Sequence, residues 1–225
     1  MTTEGVLDSL RTAAENTKHA ETGTWVAERL RQAIADGLLA PGAKLAEEAL
    51  REALGVSRNT LREAFATLHA ERVVTRIPNR GVFVSHPTSE DIREIYRVRR
   101  LVEPAALLWG PAAPADPLKD IVRAAREAAV AGDVPRMANA NQEFHRKLVA
   151  RVGSERLDTL MGQVLAEMRL VFATMADDTR FHAPYIEENA KILSLLEAGK
   201  NAEAASAMTA YLDRAEEQLL AAIAA

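Results

Sequence analysis

Cysteine is absent from the 225 residues. That excludes disulfide stapling, thiolate metal ligands and cysteine nucleophiles, and it suits a reducing cytoplasm. Aromatic residues are scarce, at 4%, while alanine is abundant, a balance that favours helices. Long apolar runs are missing as well: none approaches the ~20 residues needed to span a bilayer, so no membrane partner is expected. The opening MTTEGVLDSLRTAAENTKHAETG lacks the basic start and apolar stretch of a signal peptide and reads as a mobile or loosely helical arm over 1–23. There is no glycine-rich phosphate loop and no GxSxG. No carboxylate pair shares a helix face beside a histidine; Glu187 and Glu188 are adjacent, so they point apart. An enzyme is not expected.

What is present is ordinary for a globular chain: 48% hydrophobic and 27% charged residues, with length enough for two small domains. The net charge of −4 is unevenly spread. Residues 24–86 carry nine Lys and Arg against seven acids, whereas 87–225 carry 17 against 21. The mildly basic part comes first, a distribution compatible with nucleic acid there.

The chain is punctuated clearly. Thr24 can cap a helix from about Trp25 to Asp36, with Val26, Leu30, Ala33 and Ile34 inside and Gly37 as its stop. Pro41-Gly42 marks a turn. A second helix runs from about Ala46 to Leu54. Gly55-Val56-Ser57 turns the chain, and Ser57 can cap a third helix, about Arg58 to Ala70, with Leu61, Ala64, Phe65 and Leu68 inside. Two β-rich runs, Val73–Ile77 and Val82–Ser85, flank Pro78-Asn79-Arg80-Gly81 and read as a hairpin. After His86-Pro87 only helices are expected, over about 89–109, 116–131, 134–152, 154–176, 184–198 and 201–223, with Ser89 capping the first. The fold class is therefore mainly α: a winged helix-turn-helix of three helices plus a hairpin over 24–86, then an all-helical antiparallel bundle over 87–225.

The second helix of such a head lies in the major groove. Arg58, Asn59 and Arg62 share its outer face, opposite Leu61, Phe65 and Leu68. Arginine forks suit guanine O6/N7 and asparagine suits adenine N6/N7. At the hairpin tip Arg80 beside Gly81 can reach a minor groove or phosphate. A merely solvated basic helix would look the same by pattern.

The run from Leu38 to Ser85, with GVSRNTLREAF at its centre, a Pro-Gly turn before it and NRGVFV after it, resembles the winged helix of GntR transcription factors. That resemblance implies that Ser57, Arg58, Asn59, Thr60 and Arg62 meet double-stranded DNA and that Arg80 and Gly81 form the wing tip. Many members carry an arginine on the helix before the turn; Glu48 stands there in this chain, a reversal of charge.

The second half resembles the FCD effector domain of the FadR subfamily, through DIREIYRVRRLVEPAAL (91–107), NQEFHRKLVARVGSERL (141–157), ENAKILSLLEAGKNAEAASAM (188–208) and YLDRAEEQL (211–219). Such domains dimerise and bind a small effector, often an organic acid. In many of them one Asp and three His hold a metal. The matching positions here are Asn141, His145, Asn189 and Tyr211, so one ligand of four remains. Neutral amides and a protonated phenol are poor transition-metal ligands, and no metal or other cofactor is expected.

The residues themselves point to something polar inside. Asn141 lies in the stripe Met137, Asn141, Phe144, Leu148; Asn189 lies in Ile186, Asn189, Leu193, Leu196; Arg99 lies in Ile92, Ile95, Arg99, Val102, Ala106. Polar groups converging in an apolar bundle suit a small ligand, with Arg99 forking onto a carboxylate and Asn141, His145, Asn189 and Tyr211 offering hydrogen bonds. The blander possibilities are that Arg99 pairs with Glu103 one turn on, that Asn141 and Asn189 bond each other, and that His145 is a satisfied core histidine. The expectation is a homodimeric, cytoplasmic repressor of a palindromic operator, released by a small carboxylate. The alternatives are a metal-dependent regulator of the same build, or a ligand-binding module with a weak DNA-binding head.

Overall fold

The computed structural model describes Leu10 and residues 23–35, 38–111, 115–173 and 179–224. By internal contacts the chain forms two compact units, one of residues 1–87 with 169–174, the other of 88–168 with 175–225. The arm expected over 1–23 lies outside the described residues, apart from Gly23 and the helical, buried Leu10.

In the first unit, α1 (Gly23–Ala35) buries Val26, Ala27, Leu30, Ala33 and Ile34 and packs on α3. It starts at Gly23, so Thr24 lies within the helix rather than capping it; its expected end at Asp36-Gly37 is outside the described residues. α2 (Glu47–Leu54) ends at Gly55, whose left-handed φ of 65° turns the chain at no steric cost to glycine. α3 (Arg58–Ala70) starts at Ser57, whose side chain accepts from Thr60 N at 3.1 Å, and buries Leu61, Ala64, Phe65 and Leu68. The hairpin is β2 (Val74–Ile77) and β3 (Gly81–Val84), paired antiparallel with Thr75 opposite Phe83. β2 starts one residue later than the sequence expectation, because Val73 N bonds back to Leu68 O and closes the end of α3, and β3 lies one residue earlier than expected. A third strand, β1 (Lys44–Leu45), was not expected. It adds to the free edge of β3 in the order β1-β3-β2, with Leu45 opposite Val82.

The second unit is helical among its described residues: α4 (Ser89–Trp109), α5 (Asp116–Ala131), α6 (Val134–Ala150), α7 (Glu155–Ala173, whose last turn belongs by contacts to the first unit), α8 (Thr179–Glu197) and α9 (Asn201–Ala224). α4 lies along α9 and against α6, while α5, α6 and α8 pack on one another and α8 also on α9. Two helix starts differ from expectation. Thr88, not Ser89, caps α4: its hydroxyl accepts from Asp91 N at 3.2 Å, and its own N–H donates to the Asp91 carboxylate at 2.8 Å. That reciprocal box satisfies two orphan N–H groups at once, which Ser89 could not. α8 begins five residues before 184 and carries Pro184 inside it. The lost backbone bond is offset by burying Phe181, His182 and Tyr185 on its inner side. No described helix is long and apolar enough to cross a membrane.

Candidate functional site

The first unit presents one polar face on α3. The stripe Leu61, Ala64, Phe65, Leu68 is buried, which turns Arg58, Asn59 and Arg62 outward, all exposed. Thr60 is half-buried, and its hydroxyl lies 2.8 Å from Ser57 Oγ. Ser57 and Thr60 therefore build the helix start, while the three longer side chains are left to reach a partner. The hairpin turn holds Asn79 at a φ of 60° and Gly81 at 111°. Arg80 is exposed at the tip, and its guanidinium carbon sits 5.8 Å from the centre of the Phe83 ring, a cation–π contact that keeps the charge on the hairpin. On α2, Glu48 is ion-paired with Arg51. That bond, with Arg58 nearby, holds its carboxyl below the ordinary range. The acid thus subtracts from the positive field of the face that Arg58 begins.

The second unit gathers the other five expected residues into a single chain of contacts. α4 supplies Arg99, α6 supplies Asn141 and His145, α8 supplies Asn189 and α9 supplies Tyr211, each at most 9% exposed. Asn189 Nδ2 donates to Asn141 Oδ1 at 2.8 Å, and Tyr211 OH donates to the same oxygen at 2.9 Å. Tyr211 OH also lies 3.0 Å from His145 Nε2. Tyr185 of α8 meets the Tyr211 ring edge-on at 4.8 Å.

Arg99 joins this chain through a residue not assigned to the site from sequence. Its Nε donates to Glu103 Oε1 at 2.6 Å, and Glu103 Oε2 lies 2.6 Å from His145 Nδ1. Glu103 is fully buried. Burial alone would raise its carboxyl, but the adjacent Arg99 guanidinium and His145 outweigh that and hold it at about 2. Burial likewise works against the charge of Arg99, and the Glu103 carboxylate overcomes it, so the guanidinium stays charged. His145 is shifted down by burial despite the pull of Glu103, and burial raises Tyr211 well above its ordinary range. The i,i+4 spacing of Arg99 and Glu103 was the signal for this pair, and sequence reading had it only as a structural bridge.

Counting protons shows where the chain is unsettled. A neutral His145 that donates from Nδ1 to Glu103 must accept at Nε2. Tyr211 has one hydroxyl proton and two acceptors for it, His145 Nε2 and Asn141 Oδ1. Other atoms lack hydrogen-bond partners. Arg99 Nη2 and Asn189 Oδ1 are buried with no hydrogen-bond partner among the described residues, as are both polar atoms of Gln142, the neighbour of Asn141 in sequence. Unpaired buried polar atoms cost about 1–3 kcal/mol each, so a polar ligand that reaches Arg99 Nη2 or Asn189 Oδ1 gains what the protein alone forfeits.

Among the described residues no three His, Asp or Glu side chains are grouped so as to hold a metal ion. Glu187 and Glu188 diverge, to Arg126 and Arg214.

Two family models match the chain. Residues 22–84 match the model of bacterial regulatory proteins of the gntR family, and residues 94–214 match the FCD domain. A crystal structure described as a GntR transcriptional regulator from Rhodococcus sp. RHA1 shares 42% identity with a TM-score of 0.84, over 89% of this chain and 98% of that one. The HTH-type transcriptional regulator LutR of Bacillus subtilis (strain 168) is 30% identical over 212 residues, 83% of this chain and 95% of LutR. The gluconate operon transcriptional repressor of the same organism is 39% identical over 84 residues, 37% of this chain and 34% of that protein. These relatives are transcriptional regulators rather than enzymes. The chain belongs to the GntR family of bacterial regulatory proteins, as a DNA-binding transcriptional regulator with a helix-turn-helix head and an FCD domain.

Proposed function

We propose that this regulator is a cytoplasmic homodimeric repressor that holds a palindromic operator and releases it when a small carboxylate enters the helical bundle. Two α3 helices related by a two-fold axis read two half-sites, with Arg58, Asn59 and Arg62 at base edges, Ser57 and Thr60 setting the helix start against the backbone, and Arg80-Gly81 at the wing. Repression is supported by the likeness to a named operon repressor.

The observation that carries the effector reading is Arg99: a guanidinium 2% exposed, bound through Nε to Glu103, with Nη2 unpartnered. A carboxylate accepts from Nη2, and Asn189 Oδ1 awaits a donor from the same ligand. Asn141, His145 and Tyr211 complete the wall. The ligand works without a metal, because the positions that hold one in relatives carry two carboxamides and a phenol here, and both nitrogens of His145 are engaged by Glu103 and Tyr211. Effector binding acts on DNA only by favouring one of two arrangements of the dimer, so its affinity must differ between them.

The test is a thermal-shift screen of small carboxylates on the wild type and Arg99→Ala. A stabilising acid should emerge that loses its effect in the variant and lowers DNA retention in the wild type. A ligand that stabilises both proteins equally removes Arg99 as the anchor. Failure to select any DNA from a random pool points instead to a ligand-binding module.

A further inference from the structure

One cation, Arg80, stands at the hairpin tip by its place in the sequence. The sheet brings a second one to it. β1 has two residues, and strand alternation splits them: Leu45 is buried opposite Val82, while Lys44 is exposed opposite Phe83. Gly81 lies two residues before Phe83 on β3, which makes it the diagonal neighbour of Lys44 on that outer face. The lysine stem runs along this diagonal. Its Cε lies 3.4 Å from the point that a Cβ on residue 81 would occupy. Glycine at 81 therefore serves twice: it takes a φ of 111°, and it leaves the lysine a clear path to the tip. Arg80 lies over the ring of Phe83, the cross-strand partner of Lys44. Two long cations are thus collected at one end of the hairpin.

Neither charge is spent within the protein. Arg31 and Arg51 of the same unit are held by Glu71 and Glu48. Lys44 and Arg80 carry no ion pair among the described residues. We propose that Lys44 is a further DNA contact, a phosphate-gripping cation of the wing set beside Arg80 across the bare Gly81. This rests on the placement of the wing at DNA proposed above and adds a residue to it.

Drawing two like charges together without an acid is unfavourable, and an anion that reaches both offsets the cost. The backbone phosphate is the anion that the wing of a DNA-bound head meets. An ammonium on a flexible stem is a compact point charge, and it suits a phosphate oxygen whatever base lies beneath it. Lys44 therefore contributes affinity and register rather than sequence choice. A plainer use for the same residue is to guard the sheet. β1 is an edge strand, and a lysine there deters pairing with other chains. That use needs the charge but not DNA, so DNA binding separates the two.

The experiment titrates the full chain into a fluorescent duplex of mixed sequence over about 50–200 mM salt, for the wild type, Lys44→Met, Lys44→Arg and Arg80→Ala. Methionine keeps the apolar stem and removes the charge, and the melting temperature should not change because Lys44 is exposed. Lys44→Met should flatten the slope of log affinity against log salt by about 0.9 and weaken binding roughly eightfold at about 100 mM salt. The same factor should be lost on a duplex that the wild type selects from a random pool, because a phosphate contact carries no sequence information. Lys44→Arg should restore both slope and affinity. An unaltered slope in Lys44→Met, with binding weakened in Arg80→Ala, overturns the Lys44 contact and leaves the lysine as an edge guard. A loss confined to the selected duplex also overturns it, since that is the mark of a base contact. If Arg80→Ala binds like the wild type as well, the placement of the wing at DNA falls together with the Lys44 contact.

Discussion

Glu103 Oε2 and His145 Nδ1 lie 2.6 Å apart, both fully buried, while the other oxygen of the same carboxylate takes the Nε–H of Arg99. One acid on α4 thus serves a cation on its own helix and an imidazole on α6. Removing it strands a buried guanidinium. Glu103→Gln keeps the shape and loses the charge, and loss of one partner of a buried pair costs about 3–5 kcal/mol. Urea unfolding of the two proteins measures this; a difference under about 1 kcal/mol would mean that Arg99 finds another counter-charge.

Acid should unfold the second unit in two stages. The folded pKa of His145 is lowered, so the folded state binds fewer protons there than the unfolded chain, and stability falls as pH drops below the ordinary value of 6.5. The folded pKa of Glu103 is about 2 against an ordinary 4.5. Its contribution is whole above 4.5 and is lost as pH falls towards 2, on the order of 3 kcal/mol. Stability measured against pH should lose the lower stage in Glu103→Gln and keep the upper one. A flat profile between 6.5 and 4.5 would contradict the neutral, buried His145.

Arg58→Ala with Arg62→Ala should weaken operator binding by roughly 30-fold to 20,000-fold, as expected for losing two bidentate base contacts worth about 1–3 kcal/mol each. Unchanged affinity would move the groove contact off this face. Glu48→Arg should strengthen non-specific binding and steepen the salt dependence by about one unit, if that position faces phosphate. An unaltered slope places it away from DNA.

Ser57→Ala removes the side-chain acceptor for Thr60 N and the hydroxyl contact with Thr60. A lost cap costs about 1 kcal/mol. The melting temperature of the isolated change should fall by a few degrees, roughly, and DNA affinity should fall with it because Arg58 and Asn59 occupy the first turn. A variant with full DNA affinity would uncouple the cap from the contact.

Elemental analysis of protein purified without chelator or an affinity metal should find no stoichiometric transition metal, and added zinc should not raise the melting temperature. A bound metal at one per chain would overturn the metal-free pocket.

Much of this architecture is legible along the chain because its signals are local. α3 is announced by Ser57 and by apolar residues at 3-4-3 spacing, and the hairpin by Pro-Asn-Arg-Gly between β-rich runs. β1 is not: two residues are too few to show a period, and Lys44–Leu45 becomes a strand because β3 has an open edge beside it. The start of α8 was misplaced at Pro184, since proline favours a first turn; burial of Phe181 and Tyr185 extends the helix behind it. For Arg99 two uses were open, a bridge to Glu103 or a grip on a ligand. The bridge forms through Nε, and Nη2 remains unpartnered.

Helical period alone puts Arg99, Asn141 and Asn189 on inner faces, because side-chain direction repeats every 3.6 residues whatever the helix packs against. Cysteine content and the identity of the four positions also come directly from the residues. Partnership does not. That Glu103 receives His145 from 42 residues away, and that Asn141 accepts from both Asn189 and Tyr211, depends on how α4, α6, α8 and α9 turn their faces towards one another. Packing sets those rotations over distances that no local pattern records, and it brings Tyr211, with one proton, between two acceptors.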